Sequence, residues 1–171
     1  INFWDSDYKE TFINATAVSC TENARCFAFN QLINIIDVIR VTKVGKPAGI
    51  ENSSNSTPES LEAYRSENSL ALIKSTLKEI EYAYTFSTVN FAELVDEISG
   101  STEVSDVVNR SFTNVNSAIE AIDTSLYTAI LNDDPSLELL YESLSELVKY
   151  FSVDAASVLS VTVIPTDNDG D

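Results

Sequence analysis

Apolar residues recur at spacings of three and four along most of the chain, which is the period of an α-helix. The longest periodic stretches predict helices near 24–44, 67–86, 102–123 and 135–160, with a shorter helix in 91–98. The first of them, ARCFAFNQLINIIDVIRVTKV, is apolar on nearly all sides, so we expect it to be mostly buried. The pattern as a whole predicts an all-α fold, an antiparallel helical bundle with four or more long helices.

Residues that favour helix ends stand where the periodic stretches end. Gly45 and Pro47 are expected to stop the first long helix, because glycine suits a C-terminal cap and proline disrupts a helix interior. The pairs 57–58 and 134–135 each place a proline just inside a predicted helix start. The whole sequence has only four glycines and four prolines, and this scarcity favours helices over folds with many strands and turns.

We expect residues 1–171 to form a single helical domain, with an extended acidic tail over 161–171. Within the tail, Asp167, Asp169 and Asp171 alternate as oxygen ligands do at the start of a calcium loop. The glutamate that closes such a loop has no counterpart in the sequence. A solvated acidic tail is therefore the favoured interpretation, and a calcium site is the weak alternative.

Charge and composition exclude several classes of function. The sequence has 10 Lys and Arg against 27 Asp and Glu, a net charge of −17, which argues against nucleic-acid binding. Histidine is absent, so the chain alone has no imidazole base, no Ser-His or Cys-His pair and no His-based zinc site. No apolar run is long enough to predict a membrane-spanning segment. Because Ile1 opens the sequence in place of Met, we expect a processed or trimmed chain.

Two cysteines, Cys20 and Cys26, lie six residues apart in CTENARC. A short-loop disulfide formed in an oxidising compartment is the favoured interpretation. The alternative is two separate thiols near a helix start, one of them buried. The spacing is not that of a CxxC redox or metal-binding motif.

The mostly apolar helix near 24–44 carries a narrow line of polar residues: Asn30, Asn34, Asp37 and Arg40, at steps of four, three and three. These steps place the four residues on one face of the helix. The line is either a thin solvated stripe or a surface that faces a ligand or another domain, since buried polar groups need partners. Arg40 is the member best suited to bind a carboxylate or phosphate through two N–H groups.

Three segments resemble imelysin-like proteins, the family also called peptidase M75. Residues 27–49, FAFNQLINIIDVIRVTKVGKPAG, resemble a long helix with a buried Asn and a trailing Arg that leads into a G-x-P-x-G turn. Residues 61–80 resemble the family's helix start with the pattern Tyr-x-Ser-x-x-Ser, and the end of the chain is similar to the DxDGD finish of versions from Bacteroidetes-type bacteria. The chain resembles the C-terminal half of such a protein.

The resemblance implies a fold in which two helical bundles pack together, with the functional site between them. It also implies export to the periplasm or the outer cell surface, often as an outer-membrane lipoprotein, and a link to iron uptake. The family's peptidase label rests on a G-x-H-x-x-E motif in the N-terminal half. Because this chain has no histidine, we expect no cofactor in it, and iron or another divalent metal only in the full-length protein.

The resemblance favours the polar line as a surface that binds a ligand or meets the other half. The predicted binding residues are Asn30, Asn34, Asp37, Arg40, Lys43, Tyr64, Ser66 and Ser69, and no catalytic residue is predicted. The expected partners are the N-terminal half of the same protein and other iron-uptake components. Two functions follow: a non-catalytic binding domain, or the supporting half of a metal-dependent peptidase. A surface protein without a small ligand is a third alternative.

Overall fold

The computed structural model of the protein describes residues 3–16, 19–51, 55–86 and 89–164. The fold is an all-α helical bundle, as the apolar spacing predicts; it is 76% helical, and the described ranges contain no β-strand. The α-helices are α1 Lys9–Ile13, α2 Ala24–Val38, α3 Lys46–Ala48, α4 Ser69–Thr85, α5 Phe91–Ser99, α6 Glu103–Glu120, α7 Leu126–Leu131, α8 Ser136–Lys149 and α9 Ala156–Val158.

Wider π-helical segments extend three of these helices. They span Trp4–Tyr8 before α1, Ile39–Gly45 between α2 and α3, and Tyr150–Ala155 between α8 and α9. Short 3₁₀ turns lie at Cys20–Glu22, Pro58–Ser60 and Tyr64–Ser66. The four long helices therefore run close to the predicted ranges. The periodicity did not predict the short helix α7. Ser125 caps the start of this helix, because its hydroxyl accepts a hydrogen bond from the Thr128 amide over 3.1 Å.

The predicted stop at Gly45 and Pro47 is wrong. The helix continues through the π segment Ile39–Gly45 into α3 and ends at Gly49, which has the left-handed φ of 73° that suits glycine. Pro47 lies in α3, directly after the wider π segment. Its carbonyl accepts a hydrogen bond from the Thr57 amide over 2.8 Å, which ties the end of the helix to the next segment.

The core of the bundle is centred on Phe151, which is fully buried and lies in the π segment Tyr150–Ala155. Its ring lies 5.5 Å from Phe29 of α2, 5.0 Å from Tyr84 of α4 and 5.8 Å from Phe112 of α6, measured between ring centroids. Helix α8 packs against both α2 and α6, and α4 packs against α5 and α6. One aromatic side chain thus joins the elements that carry the polar line to the rest of the bundle.

After α9 the chain leaves helical structure and lies against α2. Val161 is buried, and its amide donates to the Ala156 carbonyl over 2.8 Å. The rest of the predicted acidic tail, with Asp167, Asp169 and Asp171, lies outside the described residues. In the described part of the chain, no helix combines the length and the hydrophobicity that crossing a bilayer requires.

Candidate functional site

Two members of the polar line, Asp37 and Arg40, form an ion pair at the junction of α2 and the π segment Ile39–Gly45. Nε and Nη2 of Arg40 both donate to Oδ1 of Asp37, over 3.0 and 2.8 Å. Both side chains are partly buried, with 23% of Arg40 and 16% of Asp37 exposed. The two N–H groups that Arg40 would use to bind an anion from outside are therefore engaged by the chain's own carboxylate.

Two residues that the sequence analysis missed complete this site. Nη1 of Arg40 donates to the Tyr141 hydroxyl over 2.8 Å, and that hydroxyl donates to Oε2 of Glu51. The same Glu51 oxygen lies 4.0 Å from Nη1 of Arg40. We call Asp37, Arg40, Glu51 and Tyr141 the Arg40 cluster. It holds one cation and two carboxylates, so its local charge is −1, which favours a cationic or hydrogen-bond-donating partner over an anion.

Gly45 allows the members of the Arg40 cluster to approach one another. A Cβ atom at this position would lie 2.8 Å from Cε2 of Tyr141 and 3.1 Å from Oε2 of Glu51. The backbone of Gly45 is ordinary right-handed helix, with φ of −61°. Glycine is therefore needed here for space, because its backbone angles suit any residue.

The environment of the cluster changes the acidity of two of its members. Burial lowers the pKa of Arg40, but the hydrogen bonds to Asp37 and the nearby negative charges raise it by more, so the guanidinium stays charged. Burial raises the pKa of the Tyr141 hydroxyl, and its hydrogen bond to Glu51 adds to the effect, against the opposing charge of Arg40. Tyr141 is therefore a neutral phenol that links a cation to a carboxylate.

Asn30, the first member of the polar line, has partners within its own chain. Its Nδ2 donates to the carbonyls of Cys26 and Thr162, each over 3.0 Å, and its Oδ1 accepts from the Ile164 amide over 2.8 Å. The side chain is 1% exposed. Asn30 thus holds the segment after α9 against α2, and the structure separates it from the Arg40 cluster.

Asn34 lies between Asn30 and the Arg40 cluster, beside a shallow groove of about 280 Å³. The groove is lined by Asn34 and Asp37 from α2, by Val148 and Ser152, and by the segment 163–164. Oδ1 of Asn34 is buried and has no hydrogen-bond partner among the residues that the structure describes. An unpaired buried carbonyl is costly, so this oxygen is an acceptor suited to a donor from water or from a bound group.

The other predicted site residues are linked to their own surroundings. Nζ of Lys43 contacts Oε2 of Glu62 over 2.5 Å, which joins the π segment to the loop before α4. The Tyr64 hydroxyl accepts from Nε of Arg65, and the Ser66 hydroxyl donates to the Ala63 carbonyl. Ser69 is buried, and its hydroxyl accepts from the Ala63 amide over 3.2 Å. These contacts order the start of α4, and none of them reaches the Arg40 cluster.

Cys20 and Cys26 are joined by a disulfide, with their Cα atoms 5.1 Å apart. Asn23 stands between them and caps α2, because its Oδ1 accepts from the Cys26 amide over 3.0 Å. The bond ties the 3₁₀ turn Cys20–Glu22 to the first turn of α2. Disulfides of this kind are typical of proteins in oxidising compartments.

The imelysin resemblance implies a metal, and the residues that the structure describes do not fit one. The sequence contains no histidine. Over the residues for which the structure gives positions, no three His, Cys, Asp or Glu side chains come together as a set of metal ligands. The carboxylates of Asp37 and Glu51 already face Arg40. We therefore assign no metal chemistry to these residues.

Fold and site together define an all-helical domain with a partly buried charged cluster on a long, π-interrupted helix. The chain matches the family model described as Imelysin, Peptidase_M75, over residues 4–150. Because the match covers most of the chain, the protein belongs to the imelysin family. Comparison with curated proteins gives no match, and neither does comparison with solved structures.

Proposed function

We propose that this chain is the C-terminal half of an exported imelysin-like protein and acts as a non-catalytic binding domain in iron or haem uptake. The observation that carries the proposal is the family match over residues 4–150 in a chain without histidine. A domain of this family that lacks imidazole ligands and bases is better suited to binding than to metal-dependent hydrolysis. The Cys20–Cys26 disulfide supports a location in the periplasm or at the cell surface. Lipid anchoring in the full-length precursor is part of the same proposal.

The surface around the Arg40 cluster is the proposed contact with the N-terminal half or with a ligand that lies between the halves. Its three charged side chains are partly exposed, at 16 to 23%, so a partner could reach them. Asn34 lies one helical turn from Asp37, and the groove that these two residues line belongs to the same surface. A partner with donor groups, cationic or neutral, would complement both features.

Substitution in the full-length protein tests this proposal. Arg40→Ala should weaken the association of the two halves, because Asp37 and Glu51 lose the cation that holds them in place, while the far-UV circular dichroism keeps its helical signal. Lys74→Ala is the matched control, because Lys74 forms an exposed ion pair with Glu120 far from the polar line in sequence. Unchanged binding in Arg40→Ala would show that the cluster only stabilises the fold.

A supporting half of a metal-dependent peptidase is the second candidate, and the family's Peptidase_M75 designation favours it. In this alternative the G-x-H-x-x-E motif and the metal belong to the N-terminal half. Assay of the full-length protein for metal-dependent proteolysis separates the two candidates. Replacement of the motif histidine is the control, and activity lost with that histidine would favour the peptidase.

A further inference from the structure

The backbone carbonyl of Thr162 is surrounded by groups from the N-terminal part of the chain. Nδ2 of Asn30 donates to this oxygen over 3.0 Å. The two sulfur atoms of the disulfide lie against it as well, with Sγ of Cys20 at 3.3 Å and Sγ of Cys26 at 3.9 Å. We call residues 161–164 the strap, since they cross the first turns of α2 at this point.

The strap is also held by backbone hydrogen bonds and by the buried side chain of Val161. The Ile164 amide donates to Oδ1 of Asn30 over 2.8 Å, and the Val161 amide donates to the Ala156 carbonyl. Nδ2 of Asn30 also lies 3.3 Å from Sγ of Cys20. Asn30 and the disulfide therefore form one clamp, and each supports the position of the other against the strap.

The two sulfur atoms differ in their exposure. Cys26 is 7% exposed and belongs to the buried core, whereas Cys20 is only partly buried. Reduction requires direct attack of a thiolate on one sulfur, so we take the more exposed residue, Cys20, as the point of attack. Sγ of Cys26, directed toward the core, is then the leaving group.

We propose that the Cys20–Cys26 disulfide is a redox-sensitive latch that holds the strap on α2. A dithiol reductant supplies the two electrons and two protons. Its first thiolate attacks Sγ of Cys20, the S–S bond breaks and Cys26 leaves as a thiolate that takes up a proton. The second thiol of the reductant then displaces Cys20, which leaves two protein thiols and an oxidised reductant.

Reduction frees the 3₁₀ turn Cys20–Glu22 from the first turn of α2, so the turn moves away from the Thr162 carbonyl. The strap then keeps the hydrogen bonds to Asn30 and Ala156 and the buried side chain of Val161, but loses its contact with the disulfide. Because residues 163 and 164 form one wall of the groove beside Asn34, release of the strap widens that groove toward Asn30. The latch does not depend on the identity of any ligand.

Amide hydrogen exchange of the 171-residue chain, followed by NMR with and without dithiothreitol, tests the latch. A thiol titration first counts two thiols in the reduced sample and none in the unfolded, unreduced one. The Ile164 amide should then exchange at least about tenfold faster after reduction, while Phe112 in the core of α6 keeps its protection. Equal Ile164 exchange in both states would overturn the proposal, as would loss of protection throughout the bundle.

Variants separate the latch from a general effect of the reductant. The double variant Cys20→Ser/Cys26→Ser should show the faster Ile164 exchange without dithiothreitol, and Asn30→Ala should show it with the disulfide intact. Asn34→Ala is the matched control one turn further along α2, and it should leave Ile164 exchange unchanged. If the double variant does not fold, the reduced native sequence still decides the question. An unchanged rate in a folded double variant would also overturn the latch.

Discussion

Tyr141 of α8 packs against Gly45 at the end of the π segment Ile39–Gly45. This close approach is possible because glycine has no side chain. A Cβ atom on Gly45 would lie 2.8 Å from Cε2 of Tyr141 and 3.0 Å from the carbonyl of Arg40. The Tyr141 ring has little freedom to move aside, because its hydroxyl bonds to both Arg40 and Glu51. The π segment and α8 can therefore approach this closely only at a glycine.

Gly45→Ala should destabilise the protein, even though alanine is the better helix former. Alanine gains about 1 kcal/mol in an open helix. Here its Cβ overpacks the contact with Tyr141, so we expect the free energy of unfolding to fall by a net of about 1–3 kcal/mol. Urea denaturation followed by circular dichroism measures the change.

Gly100→Ala is the control for this substitution. No described atom outside its own chain neighbours lies within 4 Å of a Cβ at Gly100, but its φ is +70°, so the cost there comes from the backbone, about 1–2 kcal/mol. In a Tyr141→Ala background the penalty of Gly45→Ala should shrink, whereas that of Gly100→Ala should not change. A Gly45→Ala variant more stable than the native protein would contradict the packing argument.

Tyr84→Phe should leave the stability unchanged or raise it by up to about 1–2 kcal/mol. The Tyr84 side chain is fully buried among the core aromatics, and its hydroxyl has no hydrogen-bond partner within the described part of the chain. Phenylalanine keeps the ring packing against Phe151 and removes an unpaired polar atom. Thermal unfolding of the two proteins gives the comparison.

Tyr141→Phe is the matched control for Tyr84→Phe. It also removes a tyrosine hydroxyl, but this hydroxyl forms hydrogen bonds. It leaves Arg40 and Glu51 without their shared partner, and we expect the free energy of unfolding to fall by about 1–3 kcal/mol. Opposite signs for the two substitutions are the expected result. A loss of stability in Tyr84→Phe as large as that in Tyr141→Phe would mean that the Tyr84 hydroxyl has a partner.

Alkaline pH should destabilise the protein through the same two tyrosines. Burial raises the pKa of both, from the ordinary value near 10, and the charges of Asp96 near Tyr84 and Glu51 near Tyr141 raise it further. Above pH 10 the unfolded chain releases these protons while the folded state keeps them, so stability falls as pH rises toward the folded pKa values. Phenolate absorbance against pH should lose one late-titrating tyrosine in the Tyr84→Phe variant and another in Tyr141→Phe.

Asp134 should contribute to stability through the start of α8 and lose that contribution in acid. Its Oδ1 accepts from the amide of Ser136 over 2.9 Å and from the Ser136 hydroxyl, and these bonds lower the pKa of the carboxyl below its ordinary value of 3.8. The contribution is present above the ordinary pKa and disappears as pH falls through the folded one. NMR titration of the carboxyl carbon measures the lowered pKa, and Ser136→Ala should return it toward the ordinary value.

Periodicity was enough to predict the fold but only part of the site. The apolar spacing located the long helices because burial of one face imposes it, and Asp37 and Arg40 were found because polar residues stand out on an apolar helix. Glu51 and Tyr141 could not be found this way. Tyr141 follows Leu140 directly and reads as the edge of the apolar stripe of α8, and its contact with Arg40 depends on how distant segments pack.

Asn30 has a role that its position in the polar line could not reveal. In sequence it stands in phase with Asn34 and Asp37, but in the structure its amide bonds to the backbone of residues 162 and 164. Those partners are backbone groups, which every residue has, so no side-chain pattern marks them. The stop at Gly45 was mispredicted for a related reason, since local signals do not show that a π segment precedes Pro47.

The π segment Ile39–Gly45 also affects how relatives of this chain should be aligned. A π turn encloses one residue more than an α turn, so the helical phase before residue 39 does not carry over to residues 46–48. A relative with an unbroken α-helix here would be one residue shorter. Alignments that allow a single-residue gap within 39–45 will keep Arg40 and Gly49 in register together, whereas ungapped alignments will match one of them and misplace the other.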